Sequence, residues 1–544
     1  MANTKSPETE IFIKQEKKEE TATDVAASVF DLRFDPASQE NKRTKRKLYP
    51  QECGNILACI AAASFHLPVG IVVGYSAILI PQLEAEDTEI PVTKAQTSWI
   101  ASLAVMVVPV GALLTGYLVD CIGRLNTIRV ACIPYIIGWI LIAVANNITM
   151  LYIGRFLTGF ALAMGPSPAI VYITEVASPD LRGSLICMGP SMTSLGMLFI
   201  YIKGYMIHWR TIAWIGIGYC LIPLVLMLLW APESPAWLVS KGKNEKALKA
   251  YKFLARAETE EGLAEKQLAN AQKEHNSKKT SGKESSVIVK LFRGFKKPTG
   301  YKPLFILVVL FFFQQYAGIY ITIFYAVTFF DEIKSGLDPY ISTILIGTIR
   351  MLFGLLTSAL LKRFGRRTLC IFSGLGMAIT LFVSGYYTYM IHTGQMEKSF
   401  VPVFCILLYM SLSVIGLMTI PWTMSAELFP LEIRGLAQGT IVSLAHIIMF
   451  SALQAYRRMS DTLGGSYGVH WFFGAMSFLS VIFVYIFLPE THRKMLSEIQ
   501  DYFEHNTIYL NSKKRSTQTP TPVVGNGTTP TATAAKPSNN NQNI

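Results

Sequence analysis

Twelve apolar stretches of transmembrane length constrain the fold of this chain more than any other feature of its sequence. About 20 mostly apolar residues form a helix that crosses roughly 30 Å of hydrocarbon. The pattern therefore predicts an all-α polytopic membrane protein of twelve transmembrane helices, grouped as six, a polar gap, and six. The stretches lie at approximately 57–81, 98–118, 127–146, 149–172, 184–206 and 211–230, and then at 303–327, 339–361, 368–391, 401–424, 437–456 and 467–488.

The composition supports a membrane protein and argues against other classes. Hydrophobic residues make up 51% of the 544 residues and charged residues only 16%, whereas soluble domains carry roughly 25% charged residues. The net charge of +13 does not indicate nucleic-acid binding, because the basic residues lie beside the predicted spans. The eight cysteines have no metal-ligand spacing and are interpreted as small buried hydrophobic residues.

The loops predict the topology and the domain organisation. Lys and Arg collect in alternate loops, which favours a cytoplasmic location for both termini. No cleavable signal peptide is visible, so the first span is expected to act as the insertion signal. The predicted parts are a cytoplasmic N-terminal tail at 1–50, a six-helix bundle at 51–235, a cytoplasmic helical linker at 236–300, a second six-helix bundle at 301–500 and a largely disordered cytoplasmic tail at 501–544.

Three charged motifs occur once in each half of the chain, in the same order. Parallel six-helix halves are a transporter arrangement, in which the solute binds between the halves near the membrane midplane. The matched motifs are Gly123-Arg124 and Gly365-Arg366, Glu175 with Leu181-Arg182-Gly183 and Glu427 with Ile433-Arg434-Gly435, and Pro232-Glu233 and Pro489-Glu490.

With these motifs, residues 55–500 resemble the sugar porter family of the major facilitator superfamily, and within it the insect facilitated trehalose transporters and their relatives. The resemblance implies facilitative transport of trehalose or a hexose by alternating access, without a cofactor, by a monomer in the plasma membrane. Further motifs that carry it are Gly154-Arg155 with Gly159, Pro232 to Pro235, Gln314-Gln315 with Gly318-Ile319, Pro421-Trp422 with Ala426-Glu427-Leu428-Phe429, and Pro489-Glu490-Thr491.

Ten charged residues are predicted to lie near the cytoplasmic ends of the spans and to form a gate. Charges of both signs there can pair between helices of opposite halves and hold that side shut. Buried ion pairs lose several kcal/mol per ion in desolvation, which suits a switch better than a permanent clamp. The alternative is that the charges only fix topology and helix packing. The ten are Asp120, Arg124, Arg155, Glu175, Arg182, Glu233, Arg366, Glu427, Arg434 and Glu490.

Gln314 and Gln315 are the leading candidates for sugar contact. An amide in the middle of a span is unfavourable unless it meets a partner or a cavity, and the resemblance implies that both amides bind sugar. The alternative is an interhelical hydrogen bond. Trp422, after Pro421, can lie on a sugar face, and Tyr325 matches a family tyrosine that occludes the outer side.

Several positions depart from the family pattern. Tyr320, which is also a candidate for contact with the substrate, replaces an asparagine of the glutamine motif, and Lys362 stands where an acid is usual. Arg350 lies within the eighth span, where an arginine raises the insertion free energy by at least about 2.5 kcal/mol. It is expected to face the cavity or a partner, and its role is either in the cavity or structural. A cavity role would favour an anionic solute.

The first span suggests passive transport. Proton-coupled sugar carriers generally have a carboxylate there, whereas residues 57–81 contain no Asp or Glu and His66 is the titratable group of note. No phosphate-binding loop, catalytic constellation or metal site is visible, so the chain is not expected to be an enzyme. The alternatives are a proton-coupled symporter, a carrier of another small polar solute, and a non-transporting sugar sensor.

Overall fold

The computed structural model describes residues 50–177, 179–255, 262–280, 293–430, 433–492, 494, 496–506 and 508–509. The predicted N-terminal tail, apart from Pro50, and most of the predicted C-terminal tail lie outside these residues. Every regular element within the described residues is an α-helix, in agreement with the predicted fold class.

The first half forms six membrane-spanning units from nine helices. A short break at Ser64 and Phe65 divides the first span into two helices, and the second and fourth spans are also divided. The helices are α1 Pro50–Ala63, α2 His66–Leu83, α3 Lys94–Met106, α4 Val108–Ile122, α5 Arg124–Ala143, α6 Ile148–Met164, α7 Pro166–Val176, α8 Pro179–Met206 and α9 Trp209–Trp230.

The second half repeats this plan after three short helices, α10 Pro235–Ser240, α11 Asn244–Ala255 and α12 Leu263–Thr280. Its seventh span is broken twice, and its tenth span once. The helices are α13 Pro298–Tyr316, α14 Ile319–Phe324, α15 Ala326–Ile333, α16 Pro339–Arg363, α17 Arg366–His392, α18 Val401–Ile415, α19 Ile420–Glu427, α20 Arg434–Thr462 and α21 Ser466–Phe487, followed by α22 Leu496–His505.

Eleven helical segments of the described chain are long and apolar enough to cross a membrane. The remaining span of the predicted twelve is the seventh, whose pieces α13, α14 and α15 follow one another from Pro298 to Ile333. Large apolar side chains such as Leu113, Phe305 and Ile379 are exposed on the outside of the bundle. Exposure of this kind is expected where the solvent is lipid rather than water.

Local sequence explains where several helices begin. Thr93 and Gln96 form a capping box at α3, and Asn147 and Asp338 accept hydrogen bonds from the first turns of α6 and α16. These side-chain oxygens satisfy backbone N–H groups that have no partner within the helix. Proline occupies the first or second position of many other helices, where its missing N–H is not needed.

The helices α10 to α12 define one side of the membrane. We call this the linker side, and the opposite side the far side. Trp237, Leu238 and Ala247 are buried in a small cluster of their own. On the surface, the Lys252 ammonium donates a hydrogen bond to Glu265 and lowers the pKa of that carboxyl.

Several helix pairs join the halves, among them α2 with α14 and α15 and α4 with α20. α8 packs against α16, and α3 packs against α20. Within the first half, glycines allow α2 and α8 to approach closely, because a Cβ at Gly70 would lie 1.9 Å from the carbonyl oxygen of Thr193. The helices that meet across the boundary between the halves are thus α2, α3, α4 and α8 of the first half and α14, α15, α16 and α20 of the second.

Candidate functional site

The breaks in the seventh and tenth spans lie against each other at mid-membrane depth. The Nε2 of Gln314 donates to the carbonyl oxygens of Leu417 and Met418, at 2.8 and 2.9 Å. In return, the hydroxyl of Tyr409 donates to the carbonyl oxygen of Ala317 at 2.8 Å. Carbonyl groups freed by a break need such partners inside a membrane. Each broken span therefore supplies a hydrogen-bond donor to the free carbonyl groups of the other.

Gln314 and Gln315 consequently differ. Gln314 is fully buried and uses both hydrogens of its amide on the tenth span, while its oxygen accepts from Nε2 of Gln315 at 3.2 Å. The Oε1 of Gln315 is also buried but has no hydrogen-bond partner within the described part of the chain. A buried acceptor of this kind calls for an explanation. Gln315, rather than Gln314, therefore has a group left for a solute.

Trp422 supplies a donor beside the helix face that carries this acceptor. Its indole nitrogen is buried and makes no hydrogen bond of standard geometry to a described residue, although the Tyr320 side chain lies within reach of it. The ring packs edge-on against Phe311, with centroids 4.8 Å apart, and lies 5.7 Å from the ring of His446. Phe311 and Gln315 are four residues apart on α13 and so share a face of that helix. A solute hydroxyl can donate to Gln315 and accept from Trp422.

Tyr320 and Arg350 lie close to Trp422 and to the break in the tenth span. The Tyr320 side chain interacts with both Trp422 and Arg350. Arg350 is near the middle of α16, and its Nη1 is 3.8 Å from the sulfur of Met418. Tyr201 of the first half is its other electrostatic neighbour. Arg350 thus lies beside the break of the tenth span, where both halves meet.

Tyr325 lies on the far side of this region and is fully buried. Its hydroxyl donates to the carbonyl oxygen of Leu453 at 3.4 Å, and its ring lies 4.8 Å from that of Tyr456. One residue pair crosses the halves nearby, because the Tyr201 hydroxyl donates to the carbonyl oxygen of Ile323 at 2.9 Å. These contacts separate the centre of the molecule from the far side.

An ion cluster closes the far side between the halves. Arg457 of α20 pairs with Glu84 of the first half at 2.6 Å and with Glu332 of the second half at 3.5 Å. Glu332 also accepts a hydrogen bond from the Tyr456 hydroxyl at 3.0 Å. We call Glu84, Glu332 and Arg457 the far-side ion cluster. Gln454, which donates to Ser102 at 3.0 Å, adds a neutral contact between the halves.

On the linker side, the first half joins its motif charges into one unit. Arg124 pairs with Glu175 at 2.7 Å, and the Ser234 hydroxyl donates to the same carboxylate. Glu233 accepts from the backbone N–H groups of Arg124, Leu125 and Asn126 at the start of α5. A carboxylate at this position also interacts favourably with the helix dipole.

The second half contains the same unit. Arg366 pairs with Glu427 at 3.0 Å, the Thr491 hydroxyl donates to Glu427 at 2.6 Å, and Glu490 accepts from the backbone N–H groups of Arg366 and Arg367. Two lesser members also match, since Arg182 donates to the carbonyl of Ala177 and Arg434 to that of Phe429. Asp120 is exposed, 3.8 Å from Arg124. The sequence repeat is therefore a structural repeat.

Two expectations about these charges need correction. The sequence predicted pairing between opposite halves, but Arg124–Glu175 and Arg366–Glu427 are pairs within each half. The other error concerns Arg155, which the sequence placed near the cytoplasmic end of its span. α6 starts on the far side at Ile148, so Arg155 lies in the far part of that span.

Arg155 is fully buried and bonded to three oxygens. It donates to the carbonyl oxygens of Val72 and Ile100, at 3.0 and 3.1 Å, and to the Ser76 hydroxyl at 2.5 Å. It therefore ties α6 to the first and second spans and is not one of the linker-side charges.

Comparison with known proteins identifies the family. The model of the family described as "Sugar (and other) transporter" matches residues 7–503. This chain belongs to that sugar transporter family. Its members are transport proteins, so the sequence-based predictions of a sugar porter of the major facilitator superfamily and of a non-enzyme are confirmed.

Among the sugar transporters, the chain is similar to two insect proteins. It is 31% identical over 448 residues to the "Facilitated trehalose transporter Tret1" of Drosophila mojavensis, covering 82% of this chain and 51% of that protein. It is also 31% identical to the "Facilitated trehalose transporter Tret1-2 homolog" of Drosophila sechellia, covering 82% of this chain and 90% of that protein. The chain thus spans about half the length of several curated relatives that it matches.

Solved structures agree on the fold of this family member. The proton:xylose symporter XylE, bound to 6-bromo-6-deoxy-D-glucose, aligns with a TM-score of 0.62 at 21% identity, covering 84% of this chain and 100% of XylE. The inward open conformation of XylE from E. coli aligns with a TM-score of 0.65 at 22% identity, covering 81% and 98%. At these identities the likeness supports the predicted major facilitator fold.

Sequence reasoning missed the far-side ion cluster. None of its three members, Glu84, Glu332 and Arg457, was singled out from the sequence. A signal was present, since Arg457 and Arg458 lie near the end of the eleventh span that faces the acidic loops after the first and seventh spans. Which acid would meet which arginine, however, depends on how the two halves pack.

Proposed function

We propose that this protein transports a sugar, trehalose or a hexose, across a membrane by facilitated diffusion and alternating access. The unpartnered Oε1 of Gln315 and Nε1 of Trp422 carry the proposal. An acceptor and a donor, both neutral and both next to aromatic rings, suit a ring that carries hydroxyl groups. The relatives named for trehalose transport support a sugar as the solute.

The surroundings of Arg155 support passive transport. Its hydrogen-bond partners on the first span are the carbonyl oxygen of Val72 and the hydroxyl of Ser76, and neither titrates in the physiological range. His66 is buried, donates to the carbonyl of Ala63 at 3.1 Å and packs against Gly189 of α8, as a packing residue would. XylE is named a proton symporter, but the absence of Asp and Glu from residues 57–81 of the first span favours a carrier that moves no proton.

Alternating access in this proposal begins from a state closed on the far side. The far-side ion cluster holds that side shut, while the linker-side charges pair within their own halves. We propose that rocking of the halves breaks the pair of Arg457 with Glu84 and brings the two linker-side units together. Gln315, Trp422, Tyr320 and Arg350 then face the opposite side of the membrane, and Tyr325 no longer separates the solute from it.

We place the linker side in the cytoplasm, with both termini there, and the protein in the plasma membrane as a functional monomer. The Lys and Arg of the loops on the linker side support this orientation. Protease protection of an epitope tag at either terminus of the protein in intact cells tests it. Cleavage of the tag from outside the cell would reverse the orientation.

Uptake into liposomes tests the function. The full chain is reconstituted and exposed to labelled trehalose and glucose, with protein-free liposomes as the control. Saturable uptake of either sugar down its gradient is the expected result. Sugar binding without any flux would instead identify a non-transporting sensor, and flux that a pH gradient drives uphill would identify a symporter.

A further inference from the structure

We propose that the central site takes a sugar acid, a ring with hydroxyl groups and one carboxylate, and that Arg350 binds the carboxylate. This inference rests on the proposed function and deepens it, because it names the chemical class of the solute.

Arg350 lacks the partners that a membrane arginine needs. Its one hydrogen bond among the described residues goes to the thioether sulfur of Met418, at 3.8 Å. Sulfur is a weak acceptor, whereas guanidinium offers five N–H donors. The other neighbours, Tyr201 and Tyr320, are neutral phenols. No carboxylate of the described chain lies within ion-pair distance of Arg350.

Two arginines that are buried elsewhere in this protein, Arg155 and Arg457, have oxygen partners. Arg155 has three oxygen acceptors within 3.1 Å. Arg457 has two carboxylates. A cation at the centre of a span is unfavourable even by the mildest scale. The fold compensates Arg155 and Arg457 and leaves Arg350 without compensation, which indicates that its partner comes from outside the chain.

The position of Arg350 points to the transported solute as that partner. Met418 belongs to the break of the tenth span, and the carbonyl of the same residue accepts from Gln314. Tyr320 interacts with both Arg350 and Trp422. A molecule that bonds to Gln315 and Trp422 through its hydroxyl groups therefore reaches the guanidinium of Arg350 with another group.

The charge of that group follows from electrostatics. A planar guanidinium binds a carboxylate through two parallel hydrogen bonds. One arginine neutralises one carboxylate, so the loaded site is neutral. A phosphate monoester carries about −1.5 to −2 charges at pH 7, and one arginine would leave it with an uncompensated charge in the membrane. The carboxylate is therefore the better fit.

Glucuronate and glucose form a matched pair of probes, because they differ only in a carboxylate in place of the hydroxymethyl group. Binding of each to the purified full chain is measured by competition, and uptake of each is measured in liposomes. Charge-assisted hydrogen bonds are worth roughly 1.5–3 kcal/mol, so we expect glucuronate to bind about tenfold or more tightly than glucose.

Three variants assign the preference to Arg350. Arg350→Gln should abolish the preference for glucuronate. Arg350→Lys should retain part of it, since the positive charge remains but the two parallel N–H donors of the guanidinium are lost. Lys203→Gln removes a cation from α8 that lies over the ring of Tyr219, and it should leave the preference unchanged. If Arg350→Gln fails to fold, the ratio of glucuronate affinity to glucose affinity in the wild type and in Arg350→Lys still tests the inference.

Each outcome bears on one of the two proposals. Tight glucuronate binding that Arg350→Gln removes supports the inference, whether or not flux is seen. Equal or tighter binding of glucose, or no effect of Arg350→Gln, overturns the inference but leaves sugar transport intact. Binding of neither probe also overturns it. Glucuronate binding without flux of any sugar would support the inference and contradict the proposed transport function.

Discussion

At the scale of single residues, two adjacent glutamines have acquired different roles. Gln314 bonds to the backbone of the tenth span, and Gln315 keeps a free acceptor. The sequence predicted that both lie in the middle of the seventh span, and it left interhelical bonding and sugar contact open for each. Spacing along a helix could not separate them, because the difference depends on where the carbonyls of Leu417 and Met418 lie.

Substitution of each glutamine separates these roles. Gln315→Ala should weaken sugar binding by up to about tenfold, since a hydrogen bond contributes roughly 0.5–1.5 kcal/mol. Gln314→Ala should instead lower the thermal stability of the protein, because two carbonyls of the tenth span lose their donor. Binding measurements and thermal unfolding of both purified variants distinguish them. Equal loss of binding with unchanged stability in both would contradict this division.

At the scale of helices and spans, the breaks within the seventh and tenth spans position the candidate site, and the apolar length of a span does not predict them. The stretches 303–327 and 401–424 are continuous in hydrophobicity, and the sequence predicted one span for each. The structure breaks them at Gly318, whose φ is +84°, and after Ile415. Glycine adopts such a φ readily, but a hydropathy profile does not predict a break at a glycine. The breaks form because Gln314 and Tyr409 supply partners across them.

The far-side ion cluster is expected to hold the closed state. Arg457→Gln removes its charge, whereas Arg458→Gln changes an exposed neighbour and is the matched control. A charge-assisted hydrogen bond is worth roughly 1.5–3 kcal/mol, so amide exchange across 319–333 should become about tenfold faster or more in Arg457→Gln. Exchange that stays the same in Arg457→Gln, or rises equally in Arg458→Gln, would rule out this role.

The linker-side units are expected to act on turnover rather than on binding. Arg124 contacts Glu175 at one end of the spans, whereas the candidate solute contacts lie at mid-membrane depth. Arg124→Ala should therefore lower the maximal rate of uptake more than it raises the half-saturating concentration. Initial rates over a range of sugar concentrations measure both. A change confined to half-saturation would assign Arg124 to binding instead.

At the scale of the whole molecule, the sequence predicted the two repeated halves, and the structure added their relation to each other. The paired motifs were visible because matching charges recur in order. Their partners were predicted across the halves but lie within them, since Glu233 and Glu490 cap the helices that follow the short loops at Gly123 and Gly365. The contacts between the halves could not be read from the sequence, because they join residues that are far apart in the chain. Arg457 and Glu84, for example, are 373 positions apart.

The central claim is that this protein moves sugar passively. The most direct test is initial uptake of labelled trehalose and glucose into liposomes that contain the full chain, measured with equal pH on both sides and with an imposed inward proton gradient. We predict the same saturable uptake of at least one sugar under both conditions, ending when the concentrations inside and outside are equal. Accumulation above the outside concentration that depends on the proton gradient would contradict the claim.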